Sequence, residues 1–178
     1  MHLILSDRRI DLSTEDESTY NLIDLSELNI TNCVGCFSCW VKTPGKCIIR
    51  DDAIKVYPKI AYSDKIIYVS KIKYGGYDTI MKTMLERSIP VQQAFIRLLH
   101  GETHHVQRNV ALKHAVIIGY GNISDEEKNI FKLLNYAIDI IIKLCYIITI
   151  AKNKTKKPTG AATNSHRSAP IKRKVALL

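Results

Sequence analysis

The chain has 178 residues, of which 46% are hydrophobic and 24% are charged, a composition typical of one globular domain. Too few apolar residues precede Asp7 for a signal peptide, and no apolar run approaches the ~20 residues of a membrane span. We therefore expect a cytoplasmic protein without membrane contact, whose cysteines are free or metal-bound rather than paired in disulfides.

The formal net charge of +9 comes almost entirely from the last part of the chain. Residues 152–178 contain eight basic residues and no acidic one, which leaves 18 basic and 17 acidic residues in the rest. We therefore predict a domain over residues 1–151 and a basic tail over 152–178. The Pro, Ser, Thr, Gly and Lys content of the tail is typical of a disordered segment. Binding of nucleic acid or another anionic polymer by the tail is the alternative, and nucleic acid is not the expected partner.

Short apolar runs alternate with helical patterns along the domain. Strands are predicted at residues 2–6, 20–25, 65–70, 115–119 and 145–151. Apolar rather than alternating strands, separated by helices, indicate a parallel sheet covered on both sides. The predicted fold is α/β, a flavodoxin-like three-layer sandwich with five parallel strands in the order 2-1-3-4-5. Only 13 residues separate the first two strands, so the first crossover is shortened.

The predicted helices differ in how clearly the sequence marks them. One helix starts at Asp51 or Asp52 and runs to residue 62, with a kink or break at Pro58. A second follows the cap Asp78 and covers residues 79–88, and residues 91–99 are ambiguous and can be helical. A third opens at Ser124. Its predicted apolar face consists of Ile130, Leu133, Leu134, Ala137, Ile138 and Ile141.

Four cysteines, Cys33, Cys36, Cys39 and Cys47, carry the strongest chemical signal. Three of them stand at three-residue spacing, as in the ferredoxin-type run that wraps an iron–sulfur cluster, and the fourth follows a Pro-Gly turn. Four thiolates also suit structural zinc, and a loop without metal is the third possibility. A polar cluster at residues 100–105 is interpreted as an ordinary loop or interface rather than as a metal site.

These cysteines belong to a segment, residues 32–52, that resembles the corresponding loop of the iron–sulfur flavoproteins, within the NADPH-dependent FMN reductase superfamily. Residues 65–82 resemble the family's third strand, flavin loop and following helix, and residues 117–122 its fourth-strand loop. The resemblance implies FMN, a [4Fe-4S] cluster and NAD(P)H as co-substrate, in a homodimer or homotetramer. The flavin contacts that it implies are Ser70, Ile72, Tyr74, Gly75, Gly76, Tyr77, Tyr120 and Gly121.

The loop after the first strand departs from the family pattern. Relatives hold the FMN phosphate there with a Ser-, Thr-, Gly- and Asn-rich loop, whereas residues 6–14 contain no glycine. Ser6, Arg8 and Arg9 are the evident phosphate partners, because a guanidinium can grip phosphate with two parallel hydrogen bonds.

The sequence therefore predicts an FMN-dependent oxidoreductase or electron-transfer flavoprotein. It takes electrons from NAD(P)H or a redox partner and passes them to a small molecule or a protein, with an iron–sulfur cluster at the four cysteines as one candidate route. No acid or base of the protein is needed. The alternative is a non-catalytic redox or metal sensor that uses the cysteine loop and has a degenerate flavin site.

Overall fold

The computed structural model describes residues 1–12, 19–99, 101–136 and 143–151. The strands are β1 His2–Ser6, β2 Tyr20–Asp24, β3 Lys65–Lys73, β4 Gly76–Tyr77, β5 Gln92–Leu99, β6 Glu102–Gln107, β7 His114–Gly121 and β8 Lys143–Ala151. The α-helices are α1 Ser38–Val41, α2 Ala53–Tyr62, α3 Thr79–Glu86 and α4 Asp125–Tyr136, and 3-10 turns lie at Leu25–Glu27 and Ile89–Val91. The predicted tail lies outside the described residues.

Five strands form one parallel sheet in the order β2-β1-β3-β7-β8. Counted among these five alone, this is the order 2-1-3-4-5, so the predicted flavodoxin-like fold is confirmed. Strand β4 pairs antiparallel with the end of β3, and β5 and β6 form a separate two-stranded sheet. Residues 13–18 are not among those described, so the short first crossover stays a prediction.

The strands bury residues on both faces because successive side chains point to opposite sides. On one face, Leu5, Tyr68 and Ile117 form a core with residues of α2, α3 and α4. On the other face, Ile4, Ile67 and Ile118 form a second buried cluster. Within the described residues, α2, α3 and α4 all pack on the first face. No helix in the described ranges is long and apolar enough to cross a membrane.

Helix α2 runs through Pro58 without a break, so the expected break is wrong, whereas the alternative of a kink stays a prediction. Val56, Tyr57 and Ile60 are buried on both sides of the proline, so packing holds the two halves in one helix. The backbone bond from Ser63 N to Lys59 O, 3.1 Å, continues the helical pattern beyond it. The predicted start of the helix at Asp51 or Asp52 is confirmed, because α2 begins at Ala53.

Helix α4 turns a different side to the core than its apolar pattern predicts. Phe131 and Asn135 are fully buried, whereas Leu133 is 73% exposed and Ile130 and Leu134 are also exposed. Phe131 packs edge-on against Tyr77 with ring centroids 5.1 Å apart, and Asn135 Oδ1 accepts a 2.5 Å hydrogen bond from the Tyr77 hydroxyl. The prediction for residues 130, 133 and 134 is therefore wrong. The other three predicted residues, 137, 138 and 141, lie outside the described part.

Of the segment 91–99, predicted as a possible helix, residues Gln92–Leu99 form strand β5, and Val91 ends the preceding 3-10 turn. β5 pairs antiparallel with β6, and the ring of His105 on β6 packs 4.8 Å from that of Trp40 on α1. The pairing and this packing override the helical preference of the local sequence. Most of the polar cluster around Glu102 and His104 is thus strand, and these two side chains approach to 3.3 Å. Residue 100 is not described.

Lys113 is buried just before β7, where its ammonium donates hydrogen bonds to the carbonyls of Ala111 at 2.8 Å and Ala61 at 3.3 Å. Burial lowers the pKa of Lys113 to about 8, and the nearby Asp64 carboxylate opposes this effect. The unfolded chain then binds more protons than the folded one between pH 8 and the usual lysine pKa, so stability rises with pH across this window.

We expect Lys113→Met to remove this pH dependence. In urea titrations between pH 7 and 10.5, the free energy of unfolding of the wild type should gain about 3 kcal/mol more than that of the variant. The difference between the two proteins cancels tyrosine ionisation, which both share. Parallel curves for the two proteins would contradict the assignment.

Candidate functional site

The carboxyl ends of β1, β3 and β7 meet at one edge of the sheet, and the buried carboxylate of Asp7 joins them. Its Oδ2 accepts hydrogen bonds from the Ser70 hydroxyl at 2.9 Å and from Lys71 N at 2.7 Å. Its Oδ1 accepts one from the Tyr120 hydroxyl at 2.7 Å, and Asp7 N donates to Val69 O at 3.1 Å. Asp7 therefore occupies the point where this fold class places its ligands.

The phosphate partners predicted on β1 and the following loop divide into two groups. Ser6 is buried, and its hydroxyl donates to Arg8 O at 2.6 Å and accepts from Arg8 N at 3.3 Å, so it closes a local turn. The Arg8 guanidinium lies 5.3 Å from the centre of the Tyr120 ring, and Arg9 is exposed. Burial and the Asp7 carboxylate raise the pKa of Tyr120, which keeps its hydroxyl a donor.

The predicted flavin loop after β3 is a tight hairpin. Tyr74 and Gly75 form its two-residue turn, with φ of 54° and 72°, which favours glycine at the second position. A Cβ on Gly75 would lie 2.5 Å from Ile130 Cγ2, so the turn packs directly on α4. The Tyr74 ring is 84% exposed, while its backbone N donates to Glu127 Oε1 at 2.9 Å.

The remaining predicted flavin contacts differ in accessibility. Ser70 and Ile72 are buried, and the Tyr77 ring packs on α4 rather than facing the loop after β1. Gly76 is half-buried in β4, and Gly121 ends β7 with a φ of 142°. The structure thus brings Ser70 and Tyr120 together through Asp7, and it places Tyr74 and Tyr77 in different surroundings.

At the same edge of the sheet, an anionic cofactor would meet positively charged side chains rather than a loop of free backbone amides. Arg8, Arg9 and Lys71 follow the ends of β1 or lie on β3, and Lys71 and Arg9 are exposed. The Ser6 hydroxyl and the amide of Lys71 already have protein partners. The donor set therefore fits a phosphate through guanidinium and ammonium groups.

All four cysteines of the predicted metal site, Cys33, Cys36, Cys39 and Cys47, line one cavity of about 20 Å³. Its apolar wall comes from the same loop and from Ile89. Burial raises the pKa of the Cys39 thiol, and the neighbouring thiols of the other three cysteines add to this effect. Hydrogen bonds from Ser38 lower the pKa of the exposed Cys36 thiol. The loop thus gathers the four predicted ligands around a common space.

Within the described ranges, no group of three or more His, Cys, Asp or Glu side chains is arranged to hold a metal ion. Zinc and a [4Fe-4S] cluster both bind four thiolates, so zinc, the cluster and a metal-free loop remain the three hypotheses for these cysteines.

Arg87, just after α3, is the residue of this site that the sequence did not identify. Its Nη1 and Nη2 form a forked ion pair with Asp51, at 2.5 and 2.9 Å, and the two side chains are only 1% and 8% exposed. Nη2 also lies 3.4 Å from Cys47 Sγ. Burial alone would raise the pKa of Asp51, but hydrogen bonds from Arg87 and Thr31 hold it well below its usual range.

The spacing of buried residues along α3 could have indicated that Arg87 is buried. Met81, Met84 and Arg87 recur at three-residue intervals on the side of the helix that is buried. An arginine on such a face needs buried partners. Asp7 carried a weaker signal, since it is a charged residue directly after a buried strand at the switch point.

Comparison with solved structures defines the class of fold. An NAD(P)H:quinone oxidoreductase from Methanothermobacter marburgensis is similar at a TM-score of 0.54, with 12% identity over 85% of both chains. An FMN-dependent NADH-azoreductase from Bacillus anthracis is similar at a TM-score of 0.52, with 11% identity over 84% of this chain and 86% of that one. At such low identity these similarities establish the flavodoxin-like fold.

Two curated sequences are more specific relatives. The chain is 34% identical over 73 residues to an iron–sulfur flavoprotein of Methanocaldococcus jannaschii, which covers 41% of this chain and 37% of the relative. It is 32% identical over 68 residues to an iron–sulfur flavoprotein of Archaeoglobus fulgidus, over 38% and 30%. The match thus spans about a third of each curated relative, and no protein-family model matches the chain. The resemblance to iron–sulfur flavoproteins stated from the cysteine loop is confirmed.

Proposed function

We propose that the chain is an FMN-dependent oxidoreductase or electron-transfer flavoprotein with a [4Fe-4S] cluster. The observation that carries the proposal is the cavity shared by the thiols of Cys33, Cys36, Cys39 and Cys47. It lies in a chain whose fold is that of FMN-dependent reductases and whose sequence is similar to iron–sulfur flavoproteins. The thiols, free in the structure, also support a cytoplasmic location.

The cofactor groups would be held by different parts of the chain. Arg8 and Arg9 would bind the phosphate of FMN, and the side chains and backbone around Tyr74, Gly76 and Tyr120 would line its ring. FMN, when bound, exchanges an electron pair with NAD(P)H and single electrons with one-electron partners. The protein binds and orients it, and the apolar wall of the cysteine cavity shields the buried thiol of Cys39 from water.

The partners would be a small-molecule or protein electron donor or acceptor and further copies of the chain. Strand β5 supports assembly into a homodimer or homotetramer, because Phe95, Ile96 and Leu98 are all exposed on a two-stranded sheet.

The test is an anaerobic absorption spectrum of the purified full chain before and after addition of FMN, with iron and sulfide measured per chain. We expect flavin bands, a broad iron–sulfur absorption and about four irons per chain in the wild type. Cys39→Ser should lose most of this iron, whereas Cys145→Ser, outside the cysteine loop, should keep it. A wild-type protein that takes up neither FMN nor iron would refute the proposal.

A non-catalytic redox or metal sensor is the second candidate. The observation that favours it is that two groups beside the expected phosphate position already have protein partners: the Ser6 hydroxyl bonds to Arg8 O, and the Lys71 amide bonds to the Asp7 carboxylate. This candidate predicts that the protein loads iron but stays free of flavin even at millimolar FMN, and that iron loading changes the accessibility of the cysteine loop to protease.

A further inference from the structure

We propose that Arg87 is a positioning residue for the group bound by the thiols: it fastens both ends of the cysteine loop and directs one N–H at the sulfur of Cys47. The role of Arg87 in holding the loop is independent of the proposed function. Its effect on a bound cluster rests on the proposed function.

The first part follows from what the guanidinium contacts on either side of the loop. Before the cysteines, Nη1 donates to Thr31 O at 2.8 Å. After them, the guanidinium forms the forked pair with Asp51 and Nη2 donates to Ile49 O at 3.4 Å. Asp51 in turn accepts from Thr31 N at 2.9 Å and from the Thr31 hydroxyl at 2.7 Å. One buried ion pair thus joins residues 31 and 51 and closes the segment that contains all four cysteines.

The second part follows from the contact with the sulfur. Nη2 of Arg87 lies 3.4 Å from Cys47 Sγ, within hydrogen-bonding distance for sulfur. Hydrogen bonds to the sulfurs are one of the features that set the reduction potential of an iron–sulfur cluster. A positive donor at a sulfur ligand stabilises the more negative, reduced form. Arg87 should therefore raise the potential of a cluster held by Cys47.

The pairing is not optimised for stability alone. Arg87 Nε is buried without a hydrogen-bond partner in the described part of the chain, and an unsatisfied buried donor destabilises a fold. A buried ion pair also gains little over well-packed apolar residues. A charged residue at this position, despite its cost in stability, is consistent with a role in positioning the group bound by the thiols.

The clamp is tested on the cluster-free protein by amide hydrogen exchange over residues 29–53. In Arg87→Gln, exchange in this segment should be at least tenfold faster than in the wild type, because both loop ends lose their shared donor. Arg87→Lys keeps the charge and should restore part of the protection. Glu86→Gln changes the exposed neighbour on α3 and serves as the matched control. Unchanged protection in Arg87→Gln would overturn the clamp. Should that variant not fold, unchanged protection in Arg87→Lys relative to the wild type would do the same.

The effect on the cluster is tested on the reconstituted full chain by iron release to a chelator and by the midpoint potential. Loss of a residue that supports a metal ligand costs about 10–100-fold in affinity, so Arg87→Gln should release iron faster by a comparable factor. Its midpoint potential should fall, whereas that of Asp51→Asn should rise, since that change removes a negative charge. Loop damage alone would not move the two potentials in opposite directions, and shifts of the same sign would overturn the assignment. If the wild type takes up no cluster, the cluster part of the proposed function fails, and hydrogen exchange alone decides whether Arg87 is the clamp.

Discussion

Replacing Asp51 by alanine is expected to lower the free energy of unfolding by about 3–5 kcal/mol, because it leaves the guanidinium of Arg87 buried without its counter-charge. Arg87 is 1% exposed and cannot reach solvent without moving the end of α3. The same change removes the acceptor for Thr31 N and for the backbone N of Ala53 at the start of α2. Urea titration at pH 7 measures the loss.

The matched comparison is Glu86→Gln, one residue before Arg87. Glu86 pairs with Lys82 at 3.7 Å on the exposed side of α3, and an exposed pair of this kind contributes about 0–1 kcal/mol. A loss for Asp51→Ala no larger than that for Glu86→Gln would show that the buried pair does not hold the cysteine loop.

Replacing Asp7 by alanine is expected to cost about 3 kcal/mol of stability, because three donors from β3 and β7 lose a charged acceptor in a buried site. These are the Ser70 hydroxyl, Lys71 N and the Tyr120 hydroxyl. Asp7→Asn keeps one acceptor oxygen in place and should cost less than half as much. Thermal and urea unfolding of the two variants measure the difference, and equal losses would argue against the hydrogen bonds as the cause.

The Asp7→Asn variant also distinguishes stability from ligand binding. It removes a negative charge beside Arg8 and loosens the hold on Tyr120. Under the proposed function, its affinity for FMN should rise severalfold although its stability falls. Weaker FMN binding in proportion to the lost stability would mean that Asp7 supports the flavin site rather than competing with it.

The sheet was predictable because its residues are constrained on both faces. Residues 66–69 and 115–118 are apolar at every position, as expected for parallel strands buried on both faces. The helices between these strands then leave few alternatives to the observed order. Local pattern and tertiary structure agree here.

They disagree where tertiary contacts determine the outcome. Residues 92–99 have a local sequence compatible with a helix, but pairing with β6 and the packing of His105 on Trp40 make them a strand. On α4, Phe131 packs edge-on against Tyr77 and Asn135 bonds to the Tyr77 hydroxyl, and with this side buried the helix turns its leucines outward. Neither partner is visible from the segment itself.

The sequence was sufficient to predict the candidate metal ligands, but not the residues that hold them in place. The cysteines are recognisable because their spacing along the chain reflects a chemical group. Arg87 follows Cys47 by 40 residues and Asp7 precedes Tyr120 by 113, so only the folded chain brings each pair together. For the same reason, the sequence suggested Ser6 as a phosphate partner while the fold uses its hydroxyl for a local turn.

Helix α3 spans the interval between the two candidate sites. It begins at Asp78, whose N donates to Lys71 O at the carboxyl edge of the sheet, and it ends next to Arg87 at the sulfur of Cys47. Eight helical residues rise about 12 Å. Under the proposed function, one short helix would therefore join the supports of the flavin site to those of the cysteine site.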